Sequence, residues 1–185
     1  MAESIEIREA EPADARAIAE IHLAARREAM PYLRRPHTDD EARDWFARIV
    51  GDRRAAWWIA RAGHEVVAYM LIDGENLDYL YVRPGWQGRG VGFSLLNKAK
   101  ALSPRRLELW TFQRNANARA FYEAHGFRAV ECTDGRNEEN EPDVKYEWGP
   151  ARRTGALLRH QKKRGILRSV KDPKHGRFDL WEIAV

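Results

Sequence analysis

Apolar and polar positions alternate at Ser4-Ile5-Glu6-Ile7-Arg8, which predicts a short first strand. The period then lengthens. Pro12 opens a predicted helix with Asp14 in its first turn, Ile18, Ile21 and Ala25 share one face, and Pro31 stops it. Residues 31–38 read as a loop. Thr38 or Asp39 caps a second helix whose apolar face is Ala42, Trp45, Phe46 and Ile49, at i, i+3, i+4 and i+7. The centre is strand-rich: 56–61 and 65–72 flank a turn at 62–64, 73–76 is the next turn, and 77–82 is a strand stopped by Pro84. A helix over 90–102 follows, with Val91, Leu95, Ala99 and Leu102 on its buried side. Then come a strand at 107–112, a helix at 116–125 ended by Gly126, a strand at 127–131, a polar acidic loop at 133–143 and a strand at 144–148. This order predicts an α/β chain built on a mixed, mostly antiparallel sheet with helices on both faces.

Composition narrows the picture. With 185 residues, 44% of them hydrophobic, the chain suits one domain with a full core. No secretory signal and no apolar run of membrane-spanning length is visible. Cys132 is the single cysteine, which excludes an intrachain disulfide and a cysteine zinc site and points to the cytoplasm; no metal site is predicted. Charge is uneven. Residues 1–150 hold 22 Lys+Arg against 25 Asp+Glu, whereas 151–185 hold 10 against 3. Gly149-Pro150 therefore reads as the boundary between a domain at 1–150 and a basic C-terminal extension at 151–185.

The stretch most informative for chemistry is Leu80-Tyr81-Val82-Arg83-Pro84-Gly85-Trp86-Gln87-Gly88-Arg89-Gly90-Val91-Gly92. A strand stops, a glycine-rich turn follows, and a helix opens. The first-turn N–H groups of a helix lack intrahelical acceptors, and the dipole adds positive charge there, so such a turn suits a phosphate. The dinucleotide fingerprint fails, because the sixth position from Gly88 is Phe93 and from Gly90 is Leu95. The P-loop fails because Val91, not Lys, follows Gly90. A turn with no ligand has the same glycine pattern.

A second stretch lies one strand later. Asn115-x-x-Ala118-x-x-Phe121-Tyr122-x-x-x-Gly126-Phe127, taken with Gln87-x-x-Gly90-x-Gly92, resembles the GNAT superfamily of acetyl-CoA-dependent N-acetyltransferases. The resemblance covers residues 4–148 in element order and omits the tail. It implies a central sheet with a splayed strand pair, 77–82 and 107–112, that receives acetyl-CoA as co-substrate. It implies that the backbone of Gln87, Gly88, Arg89, Gly90, Val91 and Gly92 holds the pyrophosphate. Leu80, Tyr81 and Val82 would hydrogen-bond the pantetheine arm as an added strand would. Leu80 N–H would polarise the thioester carbonyl, Asn115 would contact the pantetheine, and Tyr122 would protonate the departing thiolate. Direct attack by an amine needs no covalent enzyme intermediate. Ala118, Phe121, Tyr122 and His125 also form one helical face, which equally describes a core aromatic at 122.

The general base stays open. Glu108 and Asp78 lie in the two strands that would part, with Glu108 taken as the site residue; His22 and Glu28 are further candidates, as is a water chain. Acceptor choice is expected from the first helix, the 31–38 loop with Tyr32, Arg34, Arg35 and His37, and the hairpin. The acids of 133–143, Asp134, Glu138, Glu139, Glu141 and Asp143, would draw a cationic amine or form a solvated loop. The expected partner is a small-molecule amine acceptor, with a homodimer also compatible; neither membrane nor nucleic acid is expected. The tail reads as an extension, an added hairpin or dimer contact with a strand at 178–185, or an anion-binding arm. The rival from another class is a non-catalytic CoA-binding domain with a basic nucleic-acid arm.

Overall fold

The computed structural model describes residues 4–52 and 55–149. The tail expectations, including the 178–185 strand, lie outside the described residues. In chain order the elements are β1 Ile5–Glu9, a 3-10 turn Pro12–Asp14, α1 Ala15–Ala29, α2 Asp39–Ile49, β2 Ala56–Ala62, β3 Glu65–Asp73 and β4 Asn76–Val82. They continue with α3 Val91–Leu102, β5 Leu107–Phe112, α4 Ala116–Ala124, β6 Arg128–Cys132 and β7 Asp143–Trp148. The seven strands form one sheet in the order β1-β2-β3-β4-β5-β7-β6, and every neighbouring pair is antiparallel except β4–β5. This is the predicted mixed α/β architecture.

Local chemistry explains the boundaries. Pro12 begins a 3-10 turn rather than the α-helix itself, because Asp14 turns back to accept from the amide of Glu11 at 2.8 Å and to pair with Arg8 at 2.8 Å. Thr38 is the cap of α2: its hydroxyl accepts from the Glu41 amide while the Glu41 carboxylate accepts from the Thr38 amide, a reciprocal capping box. Leu102 was expected on the buried side of α3 but is exposed, because it lies at the last residue of the helix; Leu96 is buried instead.

The sheet carries a core on each face. On one, α3 and α4 cover Trp58, Met70, Leu80, Val82, Leu109 and Tyr146. On the other, α1 and α2 cover Trp57, Tyr69, Leu71, Tyr79, Tyr81 and Phe112. The second core is strongly aromatic. His22 of α1 lies inside it, with its ring 5.0 Å from Phe46, 4.9 Å from Tyr81 and 5.7 Å from Tyr79. Its Nδ1 lies 2.8 Å from the Tyr69 hydroxyl. Burial, with Arg26 nearby, holds the imidazole well below its ordinary pKa of 6.5, so it is neutral. Among the described residues no helix is long and apolar enough to cross a membrane.

Two stability effects are expected. Gly149 ends β7 at φ +127°, and a Cβ there would stand 2.5 Å from the Arg105 carbonyl oxygen. Gly149→Ala should therefore cost about 1–3 kcal/mol through backbone strain, read as a lower denaturant midpoint. For His22 the unfolded chain binds a proton below pH 6.5 that the folded chain refuses, so stability should fall as pH drops through and below that value. The slope should approach ~1.4 kcal/mol per pH unit. In His22→Phe that fall should flatten; an identical pH dependence in the variant would refute the assignment.

Candidate active site

The site begins where β4 and β5 part. Their parallel pairing is confined to Asn76 opposite Glu108, with the Glu108 amide donating to the Glu75 carbonyl at 2.8 Å. β4 stays registered on β3 from Val82 back to Asn76, and β5 stays registered on β7 along its whole length. Between Tyr79 and Leu77 the register with β3 skips one residue, which leaves Asp78 as a bulge. A bulge raises local twist and turns a strand away from its neighbour, so β4 and β5 diverge toward Val82 and Phe112.

Alternation assigns the groups in the gap. The Arg83 amide donates to the Val67 carbonyl on β3 at 2.8 Å. Backbone polar groups two residues apart point the same way, so those of Tyr81 and Tyr79 face β3. Those of Leu80 and Val82 face the gap. Tyr81 was expected to bond the cofactor through its backbone; its N–H and C=O are instead spent on β3, and its ring stacks on Tyr69 at 5.5 Å and 7°. The side chains of Leu80 and Val82 join the α3–α4 core with Leu109 and Tyr122.

The glycine turn leads from β4 to α3. Gly85, Gly88 and Gly90 hold φ of +84°, +71° and +80°, and added Cβ atoms at Gly88 and Gly90 would meet nothing within 4 Å, so these backbones border open space. Gly90 is the N-cap of α3, and no side chain caps the helix. Among the described residues no side chain accepts from its first-turn amides, as an anion site requires. The Gln87 Oε1 accepts from the Gly85 amide at 2.8 Å and pins the turn, while its Nε2 donates to Glu28 at 3.4 Å. Glu28 therefore braces the turn. Arg89 lies 4.9 Å over the Trp86 ring, and the Val91 side chain is in the core beside the buried Gly92.

Asn115 and Tyr122 come from α4. Asn115 is buried and its Oδ1 accepts from the Ala118 amide at 3.2 Å, which makes it the cap of the helix. Tyr122 is fully buried, its ring 5.3 Å from Phe127 and 5.2 Å from Phe121. Its hydroxyl has no hydrogen-bond partner among the described residues. Burial pushes the phenol well above its ordinary pKa of 10.0, so it keeps its proton. A buried hydroxyl left unpaired is costly, and the Tyr122 ring shares one core with the side chains of Leu80, Val82 and Leu109.

At the closed end, Asn76, Leu77, Asp78, Glu108, Leu109 and Trp110 line a shallow cleft of about 10 Å³, room for about one water. Glu108 is held there by Arg106 at 2.7 Å and Lys145 at 3.0 Å. Arg106 also pairs with Glu75 at 3.4 Å and with Glu147. Among the described residues Glu75, Glu108 and Glu147 thus share Arg106 and Lys145, and Asp78 stands at the cleft wall. Sequence reasoning missed Arg106, Lys145 and Trp110. Arg106 was findable, since it stands two positions before Glu108, just ahead of β5; Lys145 reaches Glu108 from β7.

The loops expected to choose the acceptor meet at the other end. His37 Nε2 lies 2.8 Å from Glu138, Arg26 pairs with Glu139 at 3.3 Å, and Arg114 pairs with Glu141 at 3.6 Å while lying 3.9 Å over the Tyr32 ring. Asp143 accepts from Asn137 at 3.1 Å and from Thr133. Arg35 pairs with Asp39, and Arg34 is exposed. His22 is bonded to Tyr69 beside the aromatic core that Leu33 and Tyr32 of the 31–38 loop also join.

Known proteins resemble this chain in sequence and in fold. Residues 21–127, more than half of the chain, match the Acetyltransferase (GNAT) family. The chain is 29% identical over 139 residues to a protein named probable N-acetyltransferase Rv2775 from Mycobacterium tuberculosis, covering 67% of this chain and 80% of that one. It is 33% identical over 93 residues to the peptidyl-lysine N-acetyltransferase YjaB of Salmonella typhimurium, covering 50% of this chain and 61% of that one. In fold it resembles apo YjaB from Escherichia coli, with a TM-score of 0.68 at 22% identity over 80% of this chain and 99% of that one. It also resembles the PaiA N-acetyltransferase from Thermoplasma acidophilum in complex with coenzyme A, with a TM-score of 0.60 at 15% identity over 80% and 99%. The parted strands, the glycine turn and the unpaired tyrosine lie within a chain that belongs to the GNAT acetyltransferase family, whose members are acetyl-CoA-dependent acyltransferases.

Proposed function

We propose that this acetyltransferase moves the acetyl group of acetyl-CoA to the primary amine of a small molecule by direct attack in the β4–β5 gap. The observation that carries the reading is the buried Tyr122 hydroxyl, unpaired among the described residues, in the same core as the side chains of Leu80 and Val82, whose backbone polar groups turn into the gap. The Gln87–Gly92 turn receives the pyrophosphate on the first-turn amides of α3. Leu80 and Val82 pair with the pantetheine as a further strand would, and Asn115 fixes the start of α4 beside it.

Charge builds on the thioester oxygen as the amine attacks, and the Leu80 amide stabilises it. The amine arrives as an ammonium. The carboxylates of Asp78 and Glu108 favour that cation at the closed end, and Glu108 is the site's candidate for taking one proton. A second proton leaves the nitrogen as the C–S bond breaks, and Tyr122 delivers a proton to the sulfur. The products are the amide, the free thiol and one proton released.

A second reading has a specific motive. YjaB of Salmonella typhimurium and YiaC of Escherichia coli, 33% and 27% identical over the matched segments, are named peptidyl-lysine N-acetyltransferases. A lysine side chain offers the same primary ammonium, and a panel containing both free amines and lysine peptides, followed by thiol release, decides between them. The non-catalytic rival rests on residues 151–185 alone, outside the described residues, while the body belongs to a family of enzymes.

Two measurements test the assignments. Asn and Asp both tolerate positive φ better than other side chains, so Gly90→Asn and Gly90→Asp differ mainly in charge beside the pyrophosphate. Calorimetry should show acetyl-CoA affinity lost in Gly90→Asp and largely kept in Gly90→Asn; equal affinities would remove the phosphate from this turn. Tyr122→Phe keeps the ring, so turnover should fall about 10- to 10⁴-fold, the range of acid–base groups, with acetyl-CoA affinity nearly intact. Full turnover would leave Tyr122 a core aromatic only.

A further inference from the structure

One exposed aromatic ring has no part in the mechanism. Phe93 is the third residue of α3, one turn past the Gly90 cap, and it is 45% exposed. A lone apolar side chain in water is ordinary, but this ring is backed by others. His125, the C-cap of α4, lies 4.9 Å from it with the ring planes 35° apart, and Phe121 lies 4.5 Å from His125 at 45°. Those spacings are typical of favourable aromatic pairs. His125 is fixed at two points. Its Nδ1 donates to the Phe121 carbonyl at 2.6 Å, and its own carbonyl accepts from Lys100 Nζ at 2.8 Å. Phe121 is half-buried and packs against the α3–α4 core. The three rings form a column that runs from the core to the surface, and Phe93 is its outer end.

The place of that outer end matters. Helical side chains lean toward the helix N-terminus and cover the turn before their own Cα. Phe93 therefore leans toward the Gly88–Gly90 backbone, where added Cβ atoms would meet nothing within 4 Å. Three residues of helix, about 5 Å of rise, separate it from the cap. An aromatic shelf thus stands next to the open backbone of the glycine turn.

We propose that Phe93 stacks the adenine of acetyl-CoA, with the fixed His125 ring as the positioning residue behind it. This rests on the reading of the Gln87–Gly92 turn as the pyrophosphate site and extends it to the nucleotide end of the same molecule. The pyrophosphate lies between the two halves of coenzyme A, so with the pantetheine in the gap the adenosine extends away from it. One ribose separates phosphate from base, a step comparable with that from Gly90 to Phe93. Adenine presents a π-face, and a phenyl ring already held by a second ring loses little freedom when a base lands on it. The base continues the column as a fourth ring. No bond or proton changes there, so the shelf acts on donor affinity and not on the chemical step. It favours a donor that carries the nucleotide over the same thioester on a bare phosphopantetheine arm.

The test is calorimetry on the full chain with two probes: coenzyme A, and phosphopantetheine, which keeps the arm and one phosphate and lacks the adenosine. Phe93→Ala should weaken coenzyme A about 5- to 150-fold, the range for loss of one base–aromatic stack, and leave phosphopantetheine affinity unchanged. Phe93→Trp should restore coenzyme A binding. His125→Ala should also weaken coenzyme A alone, and His125→Phe should restore it. The etheno derivative of coenzyme A, fluorescent at its adenine, should be quenched by the native chain and by Phe93→Trp but not by Phe93→Ala. Unchanged coenzyme A affinity in Phe93→Ala, an equal loss for phosphopantetheine, or no quenching by the native chain would each overturn the proposal. So would self-association that Phe93→Ala abolishes, since a second copy would then cover the ring. If Gly90→Asp still removes coenzyme A binding that Gly90→Asn keeps, the turn retains its phosphate and the shelf alone falls. If those two variants bind alike, the phosphate reading falls as well.

Discussion

The site depends on one unmade set of hydrogen bonds. β4 and β5 pair at Asn76 and Glu108 and then separate, so the backbone groups of Leu80 and Val82 have no strand to meet. Each buried polar group left unpaired costs about 1–3 kcal/mol. A fold carries such a defect only where other contacts over-determine it. β4 is held by β3 through six registered positions, β5 by β7 through six, and the side chains of Leu80, Val82, Leu109 and Tyr122 fill one packed core beneath the opening. The strands cannot close without breaking one of those ladders. The gap is therefore a fixed demand for a donor-and-acceptor chain, which the amides of a pantetheine arm satisfy in strand fashion.

The gap is also polarised along its length. At its open end α3 points an uncapped N-terminus past Gly90; at its closed end Glu75, Glu108 and Glu147 crowd around Arg106. Seven residues of β4 lie between, about 20 Å of strand. An anionic group is favoured at one end and a cationic one at the other. Acetyl-CoA with a polyphosphate tail, and an amine that arrives protonated, have that same polarity. The reacting carbon then falls between them, near Leu80, where a backbone amide rather than a formal charge meets the developing oxyanion.

Much of this was legible in the sequence, for a physical reason in each case. Element order and type followed from period, since Ala42, Trp45, Phe46 and Ile49 or the alternation of β1 encode a buried face directly. The glycine turn was legible because only glycine readily adopts the three positive-φ positions at 85, 88 and 90. What one strand says of itself does not extend to its neighbour. The Asp78 bulge, and with it the parity that turns Tyr81 toward β3 and Leu80 into the gap, is a property of register between chain segments. Arg106 and Lys145 around Glu108, or His22 beneath Tyr69, are likewise contacts across strands that periodicity does not carry. Pro12 misled for a local reason: the Arg8–Asp14 pair tightens the first turn to 3-10 geometry.

The polar loops settle how the open end is kept at its width. α1 and the 31–38 loop belong to the half of the sheet that ends in β4, whereas Arg114 and the 133–143 loop belong to the half that begins with β5. The pairs Arg26–Glu139 and His37–Glu138, with Arg114 placed against both Tyr32 and Glu141, therefore run from one half to the other. The side-chain exposures of Arg26 and Glu139 are 21% and 6%, so this pair is partly desolvated and screened less by salt than a surface pair would be. Glu138, Glu139 and Glu141 are thus committed to bracing the mouth, and a cationic acceptor would have to break a pair to use them. The carboxylates at the closed end differ in kind. Among the described residues Glu75, Glu108 and Glu147 share Arg106 and Lys145, so an approaching cation would not first have to break a one-to-one pair there.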